Sequence, residues 1–479
     1  MSSQPIRLHP DNPHYFEFRG RPTILLSSAE HYGAVLNLDF DYVCYLDALG
    51  SKGFNYTRIF SGAYREVAGS FRIERNNLRP APGRLICPWA RSEQAGYVEG
   101  GNKFDLARWD EAYFARLKDF VSQAGGRGIV VEMSLFCPYY QRKEAPEQLW
   151  QASPLHAANN VNGVGDCSRE DAYSLANTKL LAVQEAMVRK IVSELSGFDN
   201  LFYEIANEPY FGIGDDFQAH VTDAIAQAES PLPARHLIAQ NIANHHKKVE
   251  RPHPAVSILN FHYAFPPVTV EMNYGLGRVI GDDETGFRGS HAAPYRTEAW
   301  DFLIAGGGLY NNLDYGYTVA RPDGTDVAND APGSTTAEVR EQLAVLREFI
   351  NALDFIHMRP DNSVIKGWSW PAATARALVQ PGAGYAVYVN AYKDPDRKAI
   401  TPDSPSPAEA VKPAGPGRDG QAELVLDLPA GRYLAEWIDP ASGAVRTAER
   451  FYHASGRRAF ACPAFEVDIA LRVLASGEE

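Results

Sequence analysis

The feature that most restricts this chain is a repeated one. Short apolar runs end in polar residues and alternate with longer helix-like stretches between residues 23 and 317. The runs are Thr23–Ser27 in "RPTILLSSAEHYG", "FNYTRIF" (54–60), "GIVVEMSLF" (128–136), "LFYEIANE" (201–208), "HLIAQNI" (236–242), "AVSILNFHYA" (255–264), "GRVIGDDETGF" (277–287) and "GGGLYNNLDYGY" (306–317). Three of the intervening stretches have clear helical patterns. "FDLARWDEAYFARLKDFVSQAGG" puts Leu106, Trp109, Tyr113, Leu117 and Phe120 on one face and stops at Gly125-Gly126. A second pattern runs from Tyr173 to Leu195. A third starts at Thr335, which forms a capping box with Glu338, and carries Val339, Leu343, Leu346, Ile350 and Leu353 as its apolar stripe.

Eight strands alternating with helices predict an α/β chain folded as a (β/α)8 barrel over residues 1–370, with an N-terminal strand or hairpin near its base. The rival, a doubly wound sheet, needs a Gly-rich phosphate loop after a strand, and none follows these strands. From about residue 380 the pattern changes to period two, in "GYAVYVN", "AELVLDLPAGRYLAEWIDPASGAV" and "FEVDIALRVL". This predicts a C-terminal antiparallel β-sandwich over 371–479. The stretch 394–420 is Pro-rich and polar and reads as a loop.

A net charge of −13 argues against nucleic acid as a partner, because phosphate binding needs a basic face. No apolar run approaches 18 residues, so no membrane span is expected. The start, "MSSQPIRLHPDNPHYF", lacks a charged region followed by an apolar one, so a cytoplasmic location is expected. The five cysteines are scattered and odd in number, and they read as reduced thiols. No metal site is expected. The His pair in "NHHKK" (244–248) has no further ligand spaced to join it.

In a barrel of this kind, site groups stand at the C-terminal ends of strands. Those ends offer Glu30 and His31, Asn55 and Arg58, Asn207 and Glu208, His262 and Tyr263, Asp282, Asp283 and Glu284, and Tyr310, Asn311 and Asn312. Glu208 and Glu284 belong to strands four and seven, which face each other across a barrel. Paired carboxylates flanking a bond are what glycoside cleavage requires, one protonated and one ionised. Strand alternation places Asp282 and Glu284 on one face and Asp283 on the other. It also points Glu204 inward, where a buried carboxylate needs a basic partner such as Arg58.

"YEIANEPY" resembles the strand-four signature of clan A retaining glycoside hydrolases, the cellulase-like barrel superfamily. "IGDDETGF" resembles the strand-seven site of that clan, "FNYTRIF" the strand-two segment and "NFHYAF" the strand-six elements. The resemblance implies Glu208 as acid/base, Glu284 as nucleophile, Asn207 as anchor of a sugar 2-hydroxyl and Arg58 as support for the nucleophile. It implies a retaining hydrolase of oligo- or polysaccharides with a carbohydrate partner and no cofactor. Two departures leave the sugar open: "SLFCPYY" has no His at the strand-three end, and "YNNLDY" has no Trp at the strand-eight end. A non-catalytic carbohydrate-binding protein and a transglycosylase are the alternatives on the same fold.

His262 reads equally as a ligand contact or a satisfied polar core residue, and Glu30 and His31 as sugar contacts or structural groups. Trp89, Tyr97, Tyr139, Tyr140 and Trp150 lie in the long loops after strands two and three. Each reads as a subsite wall or as part of a small cluster under the loop. Trp368 and Trp370 read as interdomain packing.

Overall fold

The computed structural model describes residues 4–141, 146, 148–327, 336–370, 373–393 and 422–477. Thr335 of the expected capping box and the Pro-rich stretch 394–420 lie outside them. Eight parallel strands form one barrel sheet: β1 (Leu25–Ala29), β2 (Tyr56–Phe60), β3 (Val130–Phe136), β4 (Leu201–Ala206), β5 (Ile238–Asn244), β6 (Ile258–His262), β7 (Val279–Thr285) and β8 (Leu309–Leu313). From β2 to β8 neighbours in sequence are neighbours in the sheet, and β8 returns to β1. The seam between β1 and β2 is held by Asn55. Its Oδ1 accepts from the Leu26 backbone N–H at 2.9 Å, and its Nδ2 donates to the Ile24 carbonyl at 2.8 Å. Asn55 thus closes the barrel and does not reach the strand ends.

Among the described residues, seven helices flank the barrel, the first two capped by an aspartate side chain. They are α1 (Tyr42–Ser51), α2 (Glu111–Gly126), α3 (Thr178–Leu195), α4 (Asp215–Glu229), the short α5 (Val268–Asn273), α6 (Ala292–Ile304) and α7 (Ala337–Asn351). The Asp110 carboxylate caps α2 by accepting from Ala112 and Tyr113 N–H groups. Tyr113, Leu117, Phe120 and Ala124 are buried on one face of α2. Leu106 and Trp109, expected on that helix, instead belong to a β-hairpin of Trp89–Ala95 and Asn102–Trp109. The Asp110 cap marks where the helix begins.

Inside the barrel, alternation produces two unlike layers. The lower layer is apolar and takes one side chain from every strand: Leu25, Tyr56, Val130, Phe202, Ala239, Ile258, Val279 and Leu309. An N-terminal antiparallel sheet (Arg7–Leu8, Phe16–Phe18, Arg21–Thr23) seals it from below with Phe16 and Phe18. Two residues further along their strands stand Arg58, Glu132, Glu204, Asn260 and Asn311, all fully buried and polar.

The C-terminal unit is an antiparallel sandwich. One sheet has the order β9 (Arg359–Pro360), β11 (Thr374–Gln380), β12 (Gly384–Asn390), β17 (Asp468–Ala475), β14 (Gly431–Ile438), β15 (Val445–His453). The other is β10 (Ile365–Trp368), β13 (Glu423–Leu428), β16 (Gly456–Ala461). Two of its strands, β9 and β10, precede residue 371. β9 and β10 are too short to show a period of two, yet they pair with β11 and β13. Trp368 and Trp370 pack on the sandwich core, where the Trp368 indole donates to the Trp370 carbonyl. The interdomain packing is made elsewhere, by Trp300 of α6 stacked on Tyr388 of β12 at 5.3 Å.

Candidate active site

A pocket of about 480 Å³ opens at the C-terminal ends of the barrel strands. Glu208 and Glu284 lie on its floor, 5% and 6% exposed. An oxygen of each, together with a ring nitrogen of His262, fall within 4.8 Å of one another. The Tyr263 hydroxyl donates to Glu284 Oε1 at 2.9 Å, and Arg58 Nη1 stands 3.5 Å from Oε2. The Tyr210 hydroxyl donates to Glu208 Oε1 at 3.3 Å, and His262 Nδ1 lies 3.4 Å from the same oxygen.

Asn207 is held at both ends of its amide. Arg58 Nη2 donates to Oδ1 at 2.9 Å, and Nδ2 donates to the Tyr140 hydroxyl at 2.9 Å. Arg58 also pairs with Glu204, lies 3.4 Å from Asp283, and covers the Tyr32 ring at 4.7 Å. One guanidinium therefore serves Glu204, Asp283, Glu284 and Asn207 together, and its planar fork suits that task better than a point charge.

Strand alternation fails at the nucleophile candidate. Asp282 turns outward toward Glu298 of α6. Asp283 and Glu284 both face inward. The cause is an irregularity in register: Phe261 pairs with Asp282 and His262 with Glu284, leaving Asp283 as an extra residue on β7. Asp283 Oδ1 then lies 3.5 Å from His262 Nε2, and Oδ2 accepts from Asn260 Nδ2 at 3.1 Å.

This crowding sets the protonation states. Burial works against the His262 cation, but the charges of Glu284 and Asp283 and the hydrogen bond to Glu208 raise its imidazole to about 9. Burial pushes the Asp283 carboxyl up to about 7, against the pull of Arg58 and His262. Burial, then Glu204 and Asp283, push Glu132 well above the usual carboxylate range. These groups make poor metal ligands. Among Glu132, Glu204 and Asp283 the cation is already Arg58, and a protonated His262 has no lone pair to offer.

Other strand-end residues stand elsewhere. Tyr310 points away from the pocket and its hydroxyl donates to the Tyr295 carbonyl of α6. Asn312, also on the outer face of β8, donates to Ser28 Oγ. The inward residues of β8 are Asn311 and Leu313, one position away in each case. Glu30 is consumed by the fold: it accepts from the Ala34 N–H and from Asn77 Nδ2. His31 does line the pocket, 3.4 Å from Glu66. Of the five loop aromatics, Tyr140 lines the pocket. Tyr139 and Trp150 pack on each other at 4.7 Å, and Trp89, the first residue of the hairpin, is fully buried.

Sequence reasoning passed over Glu66, Phe71, Arg72 and Phe287, which also line the pocket. The backbone marks three of these four. Nine described non-glycine residues have positive φ, and seven of them line this pocket: Tyr32, Phe71, Arg72, Glu208, His245, Tyr263 and Phe287. Left-handed backbone costs about 1–3 kcal/mol per bulky residue and gathers where a site must hold an unusual shape.

No protein-family profile matches the sequence, and no curated protein matches it. Solved structures do match. One from Bacteroides vulgatus ATCC 8482 superposes with a TM-score of 0.65 at 16% identity, over 99% of this chain and 83% of that one. A glycoside hydrolase family 5 protein from the same organism gives 0.62 at 14% identity, over 98% and 93%. A further structure, described as a glycoside hydrolase, gives 0.62 at 13% identity over 99% and 98%. At these identities the likeness is one of architecture. The chain has the (β/α)8 barrel with a trailing antiparallel sandwich that those glycoside hydrolases also have.

Proposed function

We propose that the chain is a retaining glycoside hydrolase that cleaves O-glycosidic bonds of an oligo- or polysaccharide by double displacement. The observation that carries this reading is the approach of Glu208 and Glu284 oxygens to within 4.8 Å on a pocket floor. That spacing suits direct attack on the anomeric carbon. An inverting pair stands about 6.5–9.5 Å apart to admit a water.

Glu284 is the nucleophile. The Tyr263 hydroxyl and the Arg58 guanidinium both favour its anion. It attacks the anomeric carbon as the bond to the leaving oxygen breaks, and Glu208 gives that oxygen its proton. Glu208 then takes a proton from water, whose oxygen attacks the same carbon and releases Glu284. Asn207, fixed by Arg58 and Tyr140, anchors the sugar ring beside the reacting carbon. The glycoside hydrolase neighbours support this reading at the level of fold.

Aryl glycosides assayed with wild type, Glu208→Gln and Glu284→Gln test it. Glu284→Gln is expected to abolish turnover. Glu208→Gln is expected to lose about 10²–10⁴-fold, least on the best leaving group. Proton NMR of the first product should show the anomeric configuration of the substrate. Undiminished turnover in both variants, or an inverted product, refutes the assignment.

A further inference from the structure

His262 faces both carboxylates of the mechanism. Its Nδ1 lies 3.4 Å from Glu208 Oε1 and 3.6 Å from Glu284 Oε1, while Nε2 lies 3.5 Å from Asp283 Oδ1. Neither ring nitrogen has a hydrogen-bond partner, nor has Asp283 Oδ1, and all three atoms are buried. These are ion-pair distances, so the ring is committed to neither Glu208 nor Glu284. The other Asp283 oxygen, Oδ2, accepts from Asn260 Nδ2 at 3.1 Å and lies 3.4 Å from Arg58. Asp283 is thus tied to the barrel interior on one side and turned to His262 on the other. The irregularity on β7 brings it there, since regular alternation turns the residue before Glu284 outward.

The titratable groups around the imidazole are Glu208 at the end of β4, Asp283 and Glu284 on β7, and Tyr263, next to it in sequence. Arg58 of β2 pairs with Asp283 and Glu284, and with Glu204 as well, so one guanidinium is shared by three carboxylates. A second cation at His262 balances the set. Burial works against that cation, and the charges around it prevail.

Double displacement moves one negative charge between Glu284 and Glu208. In the first step a Glu284 oxygen bonds to the anomeric carbon, the bond to the leaving oxygen breaks, and that oxygen takes the Glu208 proton. Glu284 becomes a neutral ester and Glu208 an anion. In the second step water gives Glu208 a proton, its oxygen bonds to the carbon, and the ester bond breaks, which returns the charge to Glu284. A cation almost as close to one carboxylate as to the other stabilises the charge in both places without reorganising.

We infer that His262 is a charge pivot serving Glu208 and Glu284 in turn, and that Asp283 is the positioning residue that keeps its ring oriented and protonated. This rests on the glycosidase reading given above.

Nitrogen NMR of histidine-labelled protein tests it, with the His262 signals assigned by their loss in His262→Gln. Wild type is expected to show both ring nitrogens protonated at neutral pH. The same is expected after a deoxyfluoro glycoside of the sugar it cleaves has trapped Glu284 as the ester. A neutral ring in the free protein overturns the inference. So does a ring that loses its proton on trapping, because Glu208 has then not taken over the charge. Asp283→Asn is expected to lower the pH at which His262 titrates and to reduce kcat about 10–100-fold with KM unchanged. His262→Gln should lose at least as much, and the double variant no more than His262→Gln alone. Additive losses, or a loss in Asp283→Asn while His262 titrates as in wild type, mean a structural role and also overturn it. The two wild-type measurements decide the inference even if Asp283→Asn fails to fold. Wild type that turns over no glycoside refutes the glycosidase reading and the pivot with it; turnover with a neutral His262 refutes the pivot alone.

Discussion

The two interior layers of the barrel come from the same eight strands, and two residues of rise along those strands separate them. The lower one holds Tyr56, Val130, Phe202, Ile258 and their neighbours, sealed by Phe16 and Phe18. Each fully buried side chain of this kind contributes about 1.5–3 kcal/mol to folding. The upper one holds Arg58 amid Glu132, Glu204 and Asp283, with Glu284 just above. Buried ion pairs of this kind add little net stability and cost a great deal when broken. The difference teaches that the barrel separates its tasks by height: the lower layer holds the strands together, and the upper one sets charge and orientation under the pocket.

Removing the central cation is the strongest way to break this contrast. Arg58→Met leaves three carboxylates without their partner and is expected to cost about 3–5 kcal/mol in urea unfolding. Turnover should fall as well, because Glu284 and Asn207 lose the same contact. Next comes pH, to which only the upper layer responds. The folded state keeps a proton on His262 up to about 9, against 6.5 ordinarily, and on Asp283 up to about 7, against 3.8. Both pKa values are raised. Their stabilising contributions are complete below the ordinary values and are lost as pH rises through the folded ones. Unfolding free energy should therefore decline across pH 4 to 9, and His262→Asn should flatten the part between 6.5 and 9. Smaller still is Tyr263→Phe, which removes a hydrogen bond to a carboxylate worth about 1.5–3 kcal/mol. Turnover should fall with it, because the Glu284 carboxylate loses the donor that orients it. The least effect belongs to the lower layer: Ile258→Val is expected to cost about 0.5–1.5 kcal/mol and leave turnover unchanged.

The lower layer and the strand order were legible because a period of two survives wherever a strand is regular. The inward turn of Glu204 and its pairing with Arg58 follow from that rule alone. The rule fails where the backbone departs from it. Asp283 is an extra residue on β7, so two successive carboxylates face inward, and nothing in "GDDET" marks the irregularity. Tyr310 and Asn312 are polar residues at a strand end, but their parity is opposite to that of Leu309, so they face away from the pocket. Glu66 lies in a loop with no period at all. Its place is set by contacts with Tyr64, His31 and Asn76, which only tertiary structure brings together. The left-handed residues of the pocket are equally silent in sequence, since none of the seven is a glycine.

Helix α6 is buried at every position but Ala293. On its barrel side, Glu298 accepts from the hydroxyl of Thr285, the residue that follows Glu284. On its other side, Arg296 donates to Asp468 at 2.9 and 2.8 Å and Asp301 accepts from Asn390 at 2.7 Å. A force applied to the sandwich is therefore felt one residue from Glu284, the proposed nucleophile. The trailing domain braces strand β7 through this helix, so the two units are expected to melt together in calorimetry.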